Sequence, residues 1–292
     1  MKNYLIYLML GLFFAACSQE DGFESNSEEE RVPLIINAIQ EGTTRVMDNM
    51  WEEDDAIGVT IFQEGNDVNP VAFNLKYVRT TDGKFVPDTS DKTLGSQFFF
   101  LEKGVKYRVV AYYPWTKYTS ETEGNPYLKE ENGKPYLIVN LNHQDKVGFS
   151  NIDILTSKST YEISKDNNEV QLYFKHALMK WIVNIGPSNK VTKDQLKGLE
   201  CDAIYQQGHA QISLLDFSFK DTGRWDVLYL PMLVSEDGTK AEAILHPKQD
   251  DPCVFITLKD ERTGEASLDR SLQNTDNMGL QYTFTIRVRP SS

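Results

Sequence analysis

The segment Tyr282-Thr283-Phe284-Thr285-Ile286-Arg287-Val288 alternates apolar and polar residues without a break. Only a strand, whose successive side chains point to opposite faces, turns a period of two into one dry and one wet surface. The same period recurs at 57–62, 107–113, 137–141 and 254–258, and turn-forming pairs separate the runs: Asp82-Gly83, Asn132-Gly133, Asp237-Gly238 and Thr263-Gly264. Many short strands at near-regular spacing predict an all-β fold of sandwich type. Helical signals are few. Thr192 with Gln195 reads as a capping box that opens a short helix burying Leu196 and Leu199.

Two apolar runs change phase. Leu172, Phe174 and Leu178 hold one parity, whereas Met179, Trp181, Val183 and Ile185 hold the other. Ile212 and Leu214 give way to Leu215, Phe217 and Phe219 in the same manner. A one-residue slip inside one strand is what a β-bulge produces, so both are read as bulges. The 292 residues exceed a single module of about 100–150 residues, so two domains are expected. The polar stretch 157–168 punctuates the chain, and the apolar run that follows carries it across the boundary. The expected organisation is a leader at 1–16, an acidic tether at 17–31, and two β-sandwich domains in tandem at 32–182 and 183–292.

The N-terminus reads as a targeting segment. Lys2 precedes an apolar run of 11 residues, Tyr4 to Phe14, where a membrane-spanning helix needs about 20. Ala15 and Ala16 follow, and then Cys17, so the run reads as a secretory signal. Its end resembles a bacterial lipobox, in which the Cys thiol is lipidated and becomes the first mature residue; Phe14 departs from the usual Leu three positions before it. Ser18-Gln19-Glu20-Asp21 resembles the acidic tag of surface-exported lipoproteins. Cys17 is therefore expected to hold the chain to outer-membrane lipid. Cys201 and Cys253 show no spacing pattern and are expected to be free thiols.

The formal charge of −13 sets the chain against phosphate backbones, so nucleic acid is excluded as a partner. No catalytic constellation is visible. His143, His176, His209 and His246 stand alone, Gly148-Phe149-Ser150-Asn151 falls short of a nucleophile elbow, and Gly133-Lys134 runs into Pro135 rather than Ser or Thr. Glu52-Glu53-Asp54-Asp55 lacks the alternate spacing of a calcium loop and reads as a solvated turn. His176, in phase with Leu172 and Phe174, reads as a core or interface histidine with one satisfied nitrogen. Tyr112, Tyr113 and Trp115 form a candidate sugar-stacking platform, weighed against simple packing at a strand end. Neither catalytic, cofactor nor metal residues are expected, and the chain is not read as an enzyme.

Several segments resemble one family. Thr44-Arg45, Trp51, Asp55 and Ile57-Gly58-Val59 are similar to the opening of the fimbrillin-like proteins of Bacteroidales. Ala111-Tyr112-Tyr113-Pro114 is similar to their Ala-x-Tyr-Pro, and 170–180 to their Leu-x-Phe-x-His-Ala-Leu-x-Lys. Ala243-Ile244-Leu245-x-Pro247 and Gly279-x-x-Tyr282-x-Phe284-x-Ile286 resemble their two C-terminal strands, although Lys248 stands where the family has Gln. The resemblance implies transthyretin-like sandwiches and a fimbrial or accessory subunit on the cell surface. It further implies trimming by an Arg-specific protease, with Arg45 as the candidate site and Arg31 as its competitor, and then addition of a strand from a neighbouring subunit. The apolar stretch 32–39 would be the strand removed, buried on both faces. Other fimbrial subunits and host or bacterial surface ligands are the partners this implies; a glycan-capturing surface lipoprotein is the alternative.

Overall fold

The structure, a computed structural model, describes residues 31–41, 51–94, 96–117, 125–146, 148–220, 227–247, 253–260, 262–268 and 279–288. Its strands are β1 (Ile35–Gln40), β2 (Ala56–Gln63), β3 (Ala72–Arg79), β4 (Lys84–Pro87), β5 (Tyr107–Tyr113), β6 (Tyr127–Glu131), β7 (Lys134–Asn140), β8 (Leu155–Lys158) and β9 (Glu169–His176). They continue with β10 (Met179–Gly186), β11 (Glu200–Gln206), β12 (His209–Ser213), β13 (Val227–Pro231), β14 (Leu233–Val234), β15 (Lys240–Leu245), β16 (Cys253–Thr257), β17 (Thr263–Ser267) and β18 (Gln281–Arg287). The fold is all-β, as period two predicts.

Seven strands close into a barrel in the order β1-β4-β3-β2-β5-β8-β9. The alternating inward side chains fill it: Leu34, Ile36, Ile57, Val59, Ile61, Tyr77, Phe85, Val109, Ala111, Leu172 and Phe174 belong to one buried cluster. Each large apolar side chain so buried contributes about 1.5–3 kcal/mol. The outward side chains of the same strands, Phe62, Val110 and Tyr112, join a second cluster with Leu137, Val139, Met179, Trp181, Val183, Ala243 and Phe284. One wall of the barrel thus serves as a wall of the second core. That core lies among the sheets β14-β15-β10-β18, β13-β11-β16-β17 and β12-β7-β6. The hairpin β6–β7 precedes residue 182 yet pairs with β12, and the expected 182/183 division falls inside β10, which pairs along its length with β15 and β18.

Neither phase change is a bulge. The first is the passage from β9 to β10: residues of one parity fill the barrel, Ala177 and Leu178 turn the chain, and the other parity fills the second core. The second is a tight turn after β12. The Phe217 amide donates to Ser213 O at 2.9 Å, Phe217 takes φ 62°, and Phe219 returns to bridge Ile212. The helical signal at Thr192 yields a single 3-10 turn, Lys193–Leu196, with the Thr192 amide on Gln195 Oε1 at 2.9 Å and Leu196 and Leu199 buried.

Candidate functional site

β1 completes the barrel between two strands distant from it in sequence. It runs parallel to β9, from Ile35 opposite Glu169 to Gln40 opposite Phe174, and antiparallel to β4 only at Ile36 and Asn37. The Ile35 amide donates to Asn168 O at 2.9 Å and the Glu41 amide to Phe174 O at 2.7 Å, which extends the β9 seam beyond both ends of the strand. Leu34 and Ile36 are fully buried in the barrel. The outward face is not: Ile39 is 45% exposed, opposite Tyr173 at 51%. Burial on both faces, as expected for 32–39, is therefore corrected to burial on one, because a barrel wall has solvent behind it.

Trp51 closes the mouth of the barrel over β1. Its indole N–H donates to Ala38 O at 3.1 Å. Its ring meets Phe85, Tyr113 and Phe174 edge-on, with centroids 5.1, 5.2 and 5.2 Å away. One side chain downstream of residue 45 thus ties β1 to β4, β5 and β9. The sequence marks Trp51 only as a motif letter, with nothing to say what it touches.

At the end of β5 the aromatic triplet divides. Tyr112 is 2% exposed and faces the second core, its hydroxyl donating to Asn74 Oδ1 at 2.8 Å. Tyr113 faces the barrel and donates to Asp55 Oδ1 at 2.9 Å; burial first, then the acidic acceptor, raises its pKa. Trp115 lies under the Lys76 ammonium, 5.0 Å from the ring centroid. The platform expected of Tyr112, Tyr113 and Trp115 is corrected here. Adjacent strand residues point to opposite faces, and Tyr112 is a core residue with no ring face to offer a sugar. The Tyr112 ring also explains Gly58 in Ile57-Gly58-Val59, since a Cβ there would stand 2.1 Å from Tyr112 Cε1. The acidic run 52–55 is a turn: Asp54 takes φ 73° and the Glu52 amide donates to Asp55 Oδ2 at 2.6 Å.

His176 ends β9. Its Nδ1 lies 2.7 Å from Asp153 Oδ1, and this bond raises the imidazole pKa against the opposing effects of burial and Lys180. His176 O packs against Gly279, where φ is +67° and a Cβ would come within 2.7 Å of that oxygen. The motif residues His176 and Gly279 therefore join the end of the barrel to the entry of β18. Cys201 and Cys253 are not joined in a disulfide. Cys201 points into the core, and burial raises its pKa to about 12. It is paired with Ile256, three residues from Cys253, so the two thiols lie on opposite faces of their sheet. Cys17 and Arg45 lie outside the described residues.

These features define a class: an all-β protein whose first strand completes a barrel built mostly of later ones, and whose described residues gather no group of three or more metal-ligating side chains. Within that class the chain belongs to the fimbrillin-like family, whose profile it matches over residues 44–292. Its fold is similar to the crystal structure of a candidate cell adhesion protein of Bacteroides uniformis, at 22% identity and TM-score 0.65, covering 88% of this chain and 93% of that one. A second candidate cell adhesion protein, of Bacteroides ovatus, is similar at 19% identity and TM-score 0.66, covering 88% and 92%. A search of curated proteins found no match.

Proposed function

We propose that this chain is a surface-anchored fimbrial or adhesion subunit, held by lipid at Cys17 and assembled by exchange of its first strand. The observation that carries the reading is the seat of β1. It closes the barrel between β4 and β9, fills it with Leu34 and Ile36, and leads into the link that contains Arg45. Cleavage after Arg45 would separate β1 from the body while leaving Trp51 behind. A vacated seat would expose the backbone edges of β4 and β9 and lose two large apolar side chains worth about 1.5–3 kcal/mol each. An incoming strand from another subunit would restore both. Cleavage at Arg31 would leave β1 in place. On this reading the two modules expected at 32–182 and 183–292 share the β2–β5 wall, with the β6–β7 hairpin crossing to pair with β12 and β10 spanning the division.

The cell-adhesion descriptions of both similar structures support a surface role. Partners are then other fimbrial subunits, outer-membrane lipid through Cys17, and ligands on host or bacterial surfaces. The test is N-terminal sequencing of protein recovered from the cell surface, for wild type and Arg45→Ala. Wild-type chains beginning at Val46, absent in the variant, are expected; chains beginning only at Cys17 in both would refute processing. Cys17→Ala should shift the protein out of the membrane fraction, and retention after a high-salt wash would refute the anchor.

A further inference from the structure

The outward face of the sheet β13-β11-β16-β17 departs from the polar exterior expected of a sandwich. The register sets Asp202 of β11 opposite Phe255 of β16 and Pro231 of β13, and sets Ile204 opposite Tyr229. All five share one face, because their strand partners and alternate neighbours do. Tyr229 is 46% exposed, its ring centroid 5.3 Å from that of Phe255 at an angle of 57°. Ile204, outside both cores, is nonetheless buried.

Among the described residues no hydrogen-bond donor or cation meets the Asp202 carboxylate. Its pKa is raised, by burial first and then by the negative Glu200 on the same face. A carboxylate half-withdrawn from water, beside like charge and without a counter-ion, is costly as it stands.

We propose that this face is a docking surface for an arginine side chain of a partner protein, with Asp202 receiving the guanidinium and the Tyr229 and Phe255 rings lining its approach. Three features select that chemistry. The carboxylate accepts the planar fork bidentately, aromatic faces favour a cation, and the exposed Pro231 suits an aliphatic stem. Arginine fits better than lysine because guanidinium stacks on rings and sheds its water more readily. A metal would need more ligands than the two carboxylates of Asp202 and Glu200, and the aromatic pair beside Asp202 favours a flat cation over a sugar's hydroxyls. Asp202 is only partly exposed and has ring faces beside it, so a short arginine peptide should bind weakly but saturably, and a whole partner surface more tightly.

The test is an NMR titration of the intact chain with N-acetyl-Gly-Arg-Gly-amide, and with the citrulline peptide as its neutral counterpart. The expected result is saturable shifts confined to the Asp202 amide and the Tyr229 and Phe255 rings, absent with citrulline. Asp202→Asn and Tyr229→Ala should each weaken binding at least about fivefold, while Tyr229→Phe should keep it, given the strength of cation–π and charge-assisted contacts. Unchanged β10 and β18 amide shifts will verify the fold of each variant. Equal binding of the citrulline peptide, unchanged binding by Asp202→Asn, or shifts scattered over the acidic surface would each overturn the proposal.

Discussion

Replacing Trp51 by Ala should loosen β1 without unfolding the rest of the chain. The indole makes three edge-on ring contacts and one hydrogen bond, to Ala38 O. Ring pairs contribute about 0.5–1.5 kcal/mol each beyond burial, and a hydrogen bond about 1 kcal/mol net. The sum, about 2.5–5.5 kcal/mol, brackets the usual cost of Trp→Ala, about 3–5 kcal/mol. Three of the four partners are barrel residues other than β1, yet all four converge at the mouth that β1 closes. Sub-global opening of β1 should therefore become easier by about 3 kcal/mol, or about two decades in exchange rate. Native-state hydrogen exchange reads this directly, at the Ile35 and Glu41 amides bonded to Asn168 and Phe174. Trp51→Phe keeps a ring in the mouth and loses the hydrogen bond, so its effect should stay below about tenfold. The β10 amides, in a separate sheet, supply the control. Unchanged exchange at β1 in Trp51→Ala, or an equal rise in β10, would refute the assignment of Trp51 as the latch.

Gly58→Ala should destabilise the chain by about 1–3 kcal/mol as overpacking against the Tyr112 ring, and a Gly58→Ala/Tyr112→Leu double variant should recover part of the lost denaturation midpoint. His176 has a folded pKa above its unfolded value, so the Asp153 pair stabilises fully below the unfolded pKa and loses that effect as pH rises through the folded one. The denaturation midpoints of wild type and Asp153→Asn should accordingly diverge as pH falls from alkaline to mildly acidic, and a gap that widened upward would contradict the sign. The Cys201 thiol should stay unlabelled by iodoacetamide at pH 8 in the folded chain and react on unfolding, with mass spectrometry locating the label.

The all-β class was legible because period two is a local signal, and the family because its motifs sit on strand ends and turns. The phase changes were legible as positions and not as meanings. At 178–179 the parity shift looks the same whether a strand bulges or leaves one core for another, and only the pairing of β9 with β1 and β10 with β18 distinguishes them. Period two also contains the reason that Tyr112 and Tyr113 part company, which reading the aromatic triplet as one surface passes over. The seat of β1 was not legible. Its partner is more than a hundred residues away, and nothing in a strand's composition states whether its neighbour runs parallel. Trp51 was visible as a residue, but its work depends on four partners from four segments.

The parallel seam of β1 with β9 has a consequence for the order of events in the chain's life. Asn37 and Gln171, bonded across it, are 134 residues apart in sequence. Synthesis runs from the N-terminus, so β1 emerges first with only its two-residue pairing to β4 soon within reach. Its main seam must wait until β9 and almost the whole barrel have followed. Closing so long a loop costs entropy that no earlier contact repays, which makes the docking of β1 a late step. The barrel must then collapse around a vacancy that its own first strand enters from outside. A body able to assemble with that vacancy open has, in its folding, already rehearsed the reception of a strand it is not yet holding.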